Sequence, residues 1–234
     1  MGFLAAIALM AVMTLVELVR PAVPGKGDRL LNLQAMVLLV TTQALAVPAL
    51  LRFAHLPTIV DSAALPFWLG AILYFLAMDL GEYLFHRAQH AIPWLWKLHS
   101  LHHSDPNMSA TTANRHFWGD PLLKALTIWP VAAALIRPTP AVLAAYVWLS
   151  LWHTLVHSNV RLDFGRFSWL LNSPAYHRRH HSSEPAHFNS NYSALFPIFD
   201  VIAGSYNRPD SYPDTGLETR PGNIAQAAVW PVKA

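Results

Sequence analysis

The chain has 234 residues, of which 54% are hydrophobic and only 12% are charged, about half the charged fraction of an average soluble domain, so the composition favours a membrane protein. It contains no cysteine, which excludes disulfides, iron–sulfur clusters, thiolate zinc and a cysteine nucleophile and leaves nitrogen or oxygen to hold any metal. The formal charge of +3 is spread along the chain without a basic stripe, so nucleic acid is excluded as a partner.

In chain order, residues 3–19, 31–51 and 65–85 are apolar runs near the length of about 17–25 residues that crosses a bilayer as a helix. The first lacks a basic leader and a small-residue cleavage site and is read as a retained span, not a signal peptide. Two further runs, 120–136 and 140–156, flank the turn "RPTP". They are expected either to span twice or to dip in and return. Arg20, Lys26 and Arg29 lie between the first two runs, whereas 52–64 carries only Arg52 and the "RPTP" turn only Arg137. The excess of basic residues puts the first of these loops in the cytoplasm and the other two outside. Residues 86–118 and 157–210 then form a cytoplasmic cap, with the C-terminus on the same side. The expectation is an all-α protein, with 1–234 a single domain: an integral-membrane helical bundle of four to five hydrophobic segments carrying a cap. There are no internal repeats.

Ten of the thirteen histidines fall into four boxes. "HRAQH" holds His86 and His90, "HSLHH" holds His99, His102 and His103, "HTLVH" holds His153 and His157, and "HRRHH" holds His177, His180 and His181. On a helix, spacings of i,i+3 and i,i+4 put the imidazoles of a box on one face, as shared ligation requires. "SPAYHRRHHS" starts with Ser173 as an N-cap and Pro174 in the first turn, and Pro93 restarts the chain before the second box. One H-x-x-x-H alone is commonly incidental. Four boxes at the cytoplasmic ends of the spans point to metal, because clustered imidazoles repel when protonated and lose hydration when buried. Ten imidazoles exceed the three or four protein ligands of a zinc ion. They imply two ions with about five ligands each, or one ion with spectators. Imidazole suits iron, copper, nickel and zinc, so the ligands do not name the metal. His55 and His116 are read as structural.

The boxes and their surroundings resemble the fatty acid hydroxylase and sterol desaturase superfamily of integral-membrane, histidine-box, non-haem di-iron oxygenases. The resemblance runs from about residue 65 to 208 and rests on "DLGEYLFHRAQH", "LHSLHHSDPNMSATTANR" and "NSPAYHRRHH" with the tail "HFNSNYSALFPIFDVIAGSY". It implies that His86, His90, His99, His102, His103, His153, His157, His177, His180 and His181 ligate two iron ions, with zinc a possible substitute and no catalytic residue beyond the ligands. It further implies hydroxylation or desaturation of a lipid C–H bond with dioxygen, and electrons from a separate carrier protein docked on basic residues of the cap. Ser193 stands where the family tail has Gly, and "AGSY" replaces Phe-Gly-Thr-Tyr. Asp79 and Glu82, on the helical face of His86, are candidates to accept a ligand's ring N–H. Asp79, deep in an apolar run, is expected to have a partner. His187 and Asn191, in the tail, are expected in the surround of the ligands, His187 donating a hydrogen bond to a ligand in preference to being an eleventh ligand. Trp94, Trp96, Trp118, Trp148 and Trp152 either line an apolar channel or anchor at the interface.

Other classes fit less well. A membrane haem protein would carry single histidines within facing spans, and a metal transporter would carry polar residues along a mid-membrane path, where only Asp79 stands. A non-catalytic zinc-binding membrane scaffold would fill the same cage.

Overall fold

The computed structural model describes residues 2–51, 58–137 and 139–230; His55 lies outside the described residues. The helices are α1 (Gly2–Val19), α2 (Arg29–Leu45), α3 (Val47–Leu51), α4 (Phe67–Ala91), α5 (Pro93–His103), α6 (Asp120–Leu126), α7 (Ile128–Leu135), α8 (Pro140–Val156), α9 (Pro174–His180), α10 (Ile198–Ala203) and α11 (Ile224–Ala228). Among the described residues there is no strand, only the isolated bridges Val60–Ile136 and Ser182–Thr215. The all-helical expectation therefore holds. One described helix, α4, is long and apolar enough to cross a membrane, while Leu4–Val19 and Pro140–Val156 are shorter apolar helices.

Two of the expected runs are not continuous helices. The 31–51 run breaks at Ala46 between α2 and α3, since Pro48 has no N–H to donate to the carbonyl of Ala44. The 120–136 run breaks at Thr127, whose backbone (φ −124°, ψ −79°) leaves the helical region between α6 and α7. Pro130 is the cause, since it cannot donate to Leu126 and its ring crowds that carbonyl. The following segment instead pairs with residues 59–60: Ile59 N–H donates to Ala134 O and Arg137 N–H to Val60 O.

Helix α4 organises the rest. It packs against α5, α7 and α8, while α1 lies along α8. Tyr74, Met78, Ile128, Ala132, Ile136, Val142 and Ala145 form an apolar core among α4, α7 and α8. α4 stops at Ile92, which is extended (φ −98°, ψ 117°), and Pro93 opens α5 one residue later. A residue before proline is pushed out of the helical region, so the chain turns sharply between the first and second boxes.

Buried carboxylates hold the segments beyond the helix ends. Asp79 accepts Leu195 N–H at 2.7 Å and Phe196 N–H at 2.6 Å, tying the tail to the middle of α4. Glu17, near the end of α1, accepts Ala110 N–H at 2.7 Å and Asn159 N–H at 2.8 Å. Asp105 takes Asn32 Nδ2 and Thr112 Oγ1, each at 2.6 Å. Asp200 collects the N–H groups of Tyr192 and Ser193 and the hydroxyl of Tyr176. Each carboxylate replaces lost water with charge-assisted hydrogen bonds, which makes its burial tolerable.

Candidate metal centre

Four elements bring imidazoles together. α4 ends with His86 and His90, α5 ends with His99, His102 and His103, His157 is the C-cap of α8, and α9 carries His177 and His180 with His181 at its C-cap. They divide into two groups: His86, His90, His99, His103 and His180 in one, His102, His157, His177 and His181 in the other. Within each group the candidate ligand atoms lie within 4.8 Å of one another.

The division follows from helix geometry. In "HSLHH" the i,i+4 pair His99 and His103 faces the first group, while His102, about 100° round the helix from His103, faces the second. "HRRHH" does the reverse: His177 and His181 face the second group and His180 the first. Each three-histidine box thus serves both groups, and His103 stacks on His181 between them with ring centroids 4.3 Å apart.

The nitrogens are spaced for a metal. His86 Nε2 is 3.0 Å from His99 Nε2, which is 3.3 Å from His103 Nε2. In the second group His157 Nε2 is 3.1 Å from His102 Nε2 and 2.9 Å from His177 Nε2. An ion about 2.0–2.1 Å from each nitrogen puts neighbouring donors about 2.9 Å apart at a right angle and about 3.4 Å apart at a tetrahedral one. The observed range matches. Buried Nε2 atoms of His90, His180 and His181 have no hydrogen-bond partner, a costly state that a metal would relieve.

Backbone carbonyls fix three tautomers. His86 Nδ1 lies 2.8 Å from Tyr192 O, His180 Nδ1 2.7 Å from Ser190 O, and His157 Nδ1 2.7 Å from His153 O. A ring that donates Nδ1–H to a carbonyl keeps its Nε2 lone pair free for a metal. Asn191 sits between Ser190 and Tyr192 in the left-handed region (φ 61°), and its side chain binds Tyr176 O and both the carbonyl and N–H of Asn207. The turn held this way aims the carbonyls of its two neighbours at imidazoles in separate helices.

Burial keeps the rings neutral. Desolvation, reinforced by neighbouring imidazoles, holds His99, His102, His103, His157, His177 and His181 well below the usual histidine range. His180 is pushed down to about 3, again chiefly by burial. Neutral imidazole is the ligating form.

Other residues singled out from the sequence lie outside the two groups. His153 is close by, but its Nε2 is 3.0 Å from Ala113 O. His116 stacks on His102 with centroids 4.2 Å apart. His187 places Nδ1 2.8 Å from Ser182 Oγ and Nε2 3.7 Å from Glu184. Asp79 spends its two oxygens on tail N–H groups and Glu82 pairs with Lys124 at 2.9 Å. The ring N–H acceptors are carbonyls where carboxylates were expected, because the tail passes closer to the rings than either side chain. Of the tryptophans, Trp96 packs on His90 and His103, Trp94 is largely exposed, Trp118 donates its ring N–H to Ala228 O, and Trp148 and Trp152 stack on each other. Among the basic residues of the expected cap, Arg115 and Arg178 are buried. Arg178 donates to Pro213 O, Asn159 and Asn107, and Arg115 to Leu101 O, Ser104 and Asn32.

A cavity of about 290 Å³ opens beside His86, His99, His102 and His177. Ile7, Met10, Met36, Leu39 and Trp129 supply apolar wall, and Glu82, Gln89, His116, Asp120 and Lys124 supply polar wall.

Two adjoining, largely buried, all-imidazole groups at and beyond the ends of the apolar helices α4 and α8 define a histidine-box protein with a site that fits metal. The chain belongs to the fatty acid hydroxylase family, whose model matches residues 71–205. It is 32% identical over 135 residues to an alkylglycerol monooxygenase of Xenopus tropicalis, covering 57% of this chain and 30% of that protein. The alkylglycerol monooxygenase of Danio rerio is 30% identical over 78% of this chain and 38% of its own length. An ornithine lipid hydroxylase of Rhizobium tropici is 29% identical over 70% of this chain and 50% of its own. The chain thus spans at most half the length of these relatives. No solved structure gives a significant match.

Proposed function

We propose that this chain is a membrane-embedded oxygenase that hydroxylates a C–H bond of a lipid, with one iron held by His86, His90, His99, His103 and His180 and a second by His102, His157, His177 and His181. The observation that carries it is the convergence of nine imidazoles, seven of them buried, into two groups at metal-compatible spacing. Hydroxylation, in preference to desaturation, is favoured by the relatives named as monooxygenase and hydroxylase, and a lipid substrate by the words alkylglycerol and ornithine lipid in those names.

Paired iron, when bound, supplies dioxygen activation and C–H oxidation. One oxygen atom enters the C–H bond to give an alcohol and the other leaves as water, with two electrons and two protons supplied from outside. The protein's own part is to hold the rings neutral and oriented through the carbonyls of Tyr192, Ser190 and His153, and to offer the substrate a cavity beside the rings. A separate reductant protein docks on the cap. With Arg115 and Arg178 buried, the basic residues left for it are outer ones such as Lys97 and Arg166.

A bilayer setting is supported by large apolar side chains facing outward along α1 and α4, including Leu15, Leu18, Leu76, Leu80 and Leu84, since extended exposed apolar surface marks a membrane or partner contact. The 20–29 loop, basic in sequence, lies against the site: Ala22 N–H donates to Asn159 O and Asp28 pairs with Arg115. That favours the cytoplasmic side for the imidazole groups and the C-terminal segment. The full chain, expressed with iron and purified in detergent, is expected to carry two metal ions and to incorporate labelled oxygen from dioxygen into lipid when a reductant is supplied. Zinc-filled protein with no turnover under any reduction scheme would leave the scaffold reading.

A further inference from the structure

Sequence patterning assigns all of 157–210 to a cytoplasmic cap, yet part of this segment turns back along α4. Leu195 and Phe196 donate their N–H groups to Asp79 at 2.7 and 2.6 Å. Asp79 stands seven residues before His86, so the tail climbs about 10 Å along α4 from the level of that imidazole. α10 follows at once and stays against the same helix. Phe199 packs on Tyr83 with ring centroids 6.0 Å apart, and Tyr83 Oη lies 3.2 Å from Ser205 Oγ. Residues 164–172 rest on this tail in turn: Asn172 N–H donates to Leu195 O at 2.9 Å, and Ser168 Oγ lies 2.7 Å from Tyr206 Oη.

α4 has 25 residues, a length of about 37 Å against a hydrocarbon core about 30 Å thick. With Phe67 at the far boundary, the near boundary falls about 20 residues on, close to Arg87. Asp79 and Tyr83 then lie inside the apolar layer, and so does the tail beside them. Irregular backbone at that depth needs protein partners for its polar groups, and Asp79 supplies them. The side chains turned outward there are apolar. Val201 and Ile202 on α10 are exposed, Ile202 by 77%, and so are Phe167, Trp169 and Leu170 in the loop that rests on the tail. On α4, the exposed Leu76 and Leu80 are i,i+3 neighbours of Asp79 and Tyr83, so the two apolar surfaces adjoin. Arg166 is exposed at the edge with its guanidinium 4.8 Å from the Phe167 ring, where a long basic side chain reaches headgroups.

Apolar side chains on a short helix and a loop, continuous with the outward stripe of a spanning helix and edged by Trp and Arg, have the composition of an interfacial anchor. We propose that α10 and residues 167–170 insert into the leaflet nearest the imidazole groups and form a membrane contact separate from the spanning helices. Lipid then backs the tail whose Ser190 and Tyr192 carbonyls orient His180 and His86, and the bilayer is part of what holds those rings. The inference rests on the bilayer setting of α4, and is independent of the reaction catalysed.

The test uses the full chain in lipid nanodiscs with the metal it is purified with. Because the chain has no cysteine, a nitroxide on a single introduced cysteine reports one position. Leu170→Cys and Ile202→Cys are compared with Leu80→Cys on α4 and with Glu218→Cys, an exposed position outside the apolar surface. Collisions with oxygen, which concentrates in lipid, are expected to exceed those with a water-soluble nickel chelate at 170, 202 and 80, with the reverse at 218. Nickel access at 170 or 202 with oxygen access at 80 overturns the inference and leaves the bilayer setting of α4 in place. Nickel access at 80 as well brings down that setting too. Shielding of 170 and 202 from both reagents marks a protein contact and also overturns the inference. Ile202→Asp, at a position where water would accept the charge, is expected to lower the melting temperature in nanodiscs and to weaken metal retention by the group of His86 and His180, while Ile202→Ala changes neither. An unchanged melting temperature in Ile202→Asp overturns the inference.

Discussion

His153 and His177 each open a histidine box, yet their rings face different surroundings. His177 Nε2 points at His157 Nε2 from 2.9 Å, whereas His153 directs Nε2 to the carbonyl of Ala113. His177→Ala is therefore expected to empty the group it shares with His102, His157 and His181, while the other ion stays bound. His153→Ala keeps the carbonyl that orients His157, so it is expected to retain both ions and lose about 1 kcal/mol of stability for one hydrogen bond. Metal per chain, measured by mass spectrometry on the two variants, decides between them; equal loss from both would place His153 among the ligands. The histidines themselves were legible from spacing because i,i+3 and i,i+4 are local properties of one helix. Their partition was not, since which face of α5 meets which face of α9 is decided by packing between segments far apart in the chain. Nor were the carbonyls of Tyr192 and Ser190, because a backbone acceptor leaves no residue-type signal; the Asn191 turn that aims them is the nearest trace.

At the scale of elements, single polar contacts that hold α9 and the tail can be removed one at a time. Ser173 Oγ accepts Tyr176 N–H at the start of α9, and this helix supplies His177 and His180. Ser173→Ala is expected to cost about 1 kcal/mol, read as a lower melting temperature. Asp79 joins the tail to α4, and Asp79→Ala leaves the N–H groups of Leu195 and Phe196 buried without an acceptor. The expected loss is about 3 kcal/mol or more. Because Tyr192 O, three residues upstream, orients His86, metal content is expected to fall as well, with Asp79→Asn restoring part of both. Unchanged metal content in Asp79→Ala would show that the tail holds its place without this anchor. The sequence pointed to a partner for Asp79 from the cost of a charge in an apolar run, but the partner is backbone from a segment more than a hundred residues away. The breaks at Ala46 and Thr127 were marked by Pro48 and Pro130, and hydropathy averaged across both, which is why two runs read as single spans.

For the whole molecule, the imidazole groups make stability depend on pH with a definite sign. In the folded, metal-free chain, His99, His102, His103, His157, His177 and His181 are held neutral well below the ordinary value, and His180 titrates near 3. In the unfolded chain the same rings take protons at about 6.5. Below that pH the unfolded state binds more protons than the folded one, so stability falls as pH falls from about 6.5 towards the folded values. Each ring that stays neutral contributes a loss of about 1.4 kcal/mol per pH unit, and a few rings together rival the whole stability of about 5–15 kcal/mol of an ordinary domain. Protein stripped by a chelator is expected to lose its folded imidazole region within about one to two units below pH 6.5. A bound ion competes with protons for the same nitrogens, so the loaded protein is expected to hold to lower pH. Tryptophan-detected melting from pH 8 down to pH 4, with and without chelator, measures both curves. Coincident curves would mean that the ions, if bound, are not held by these rings.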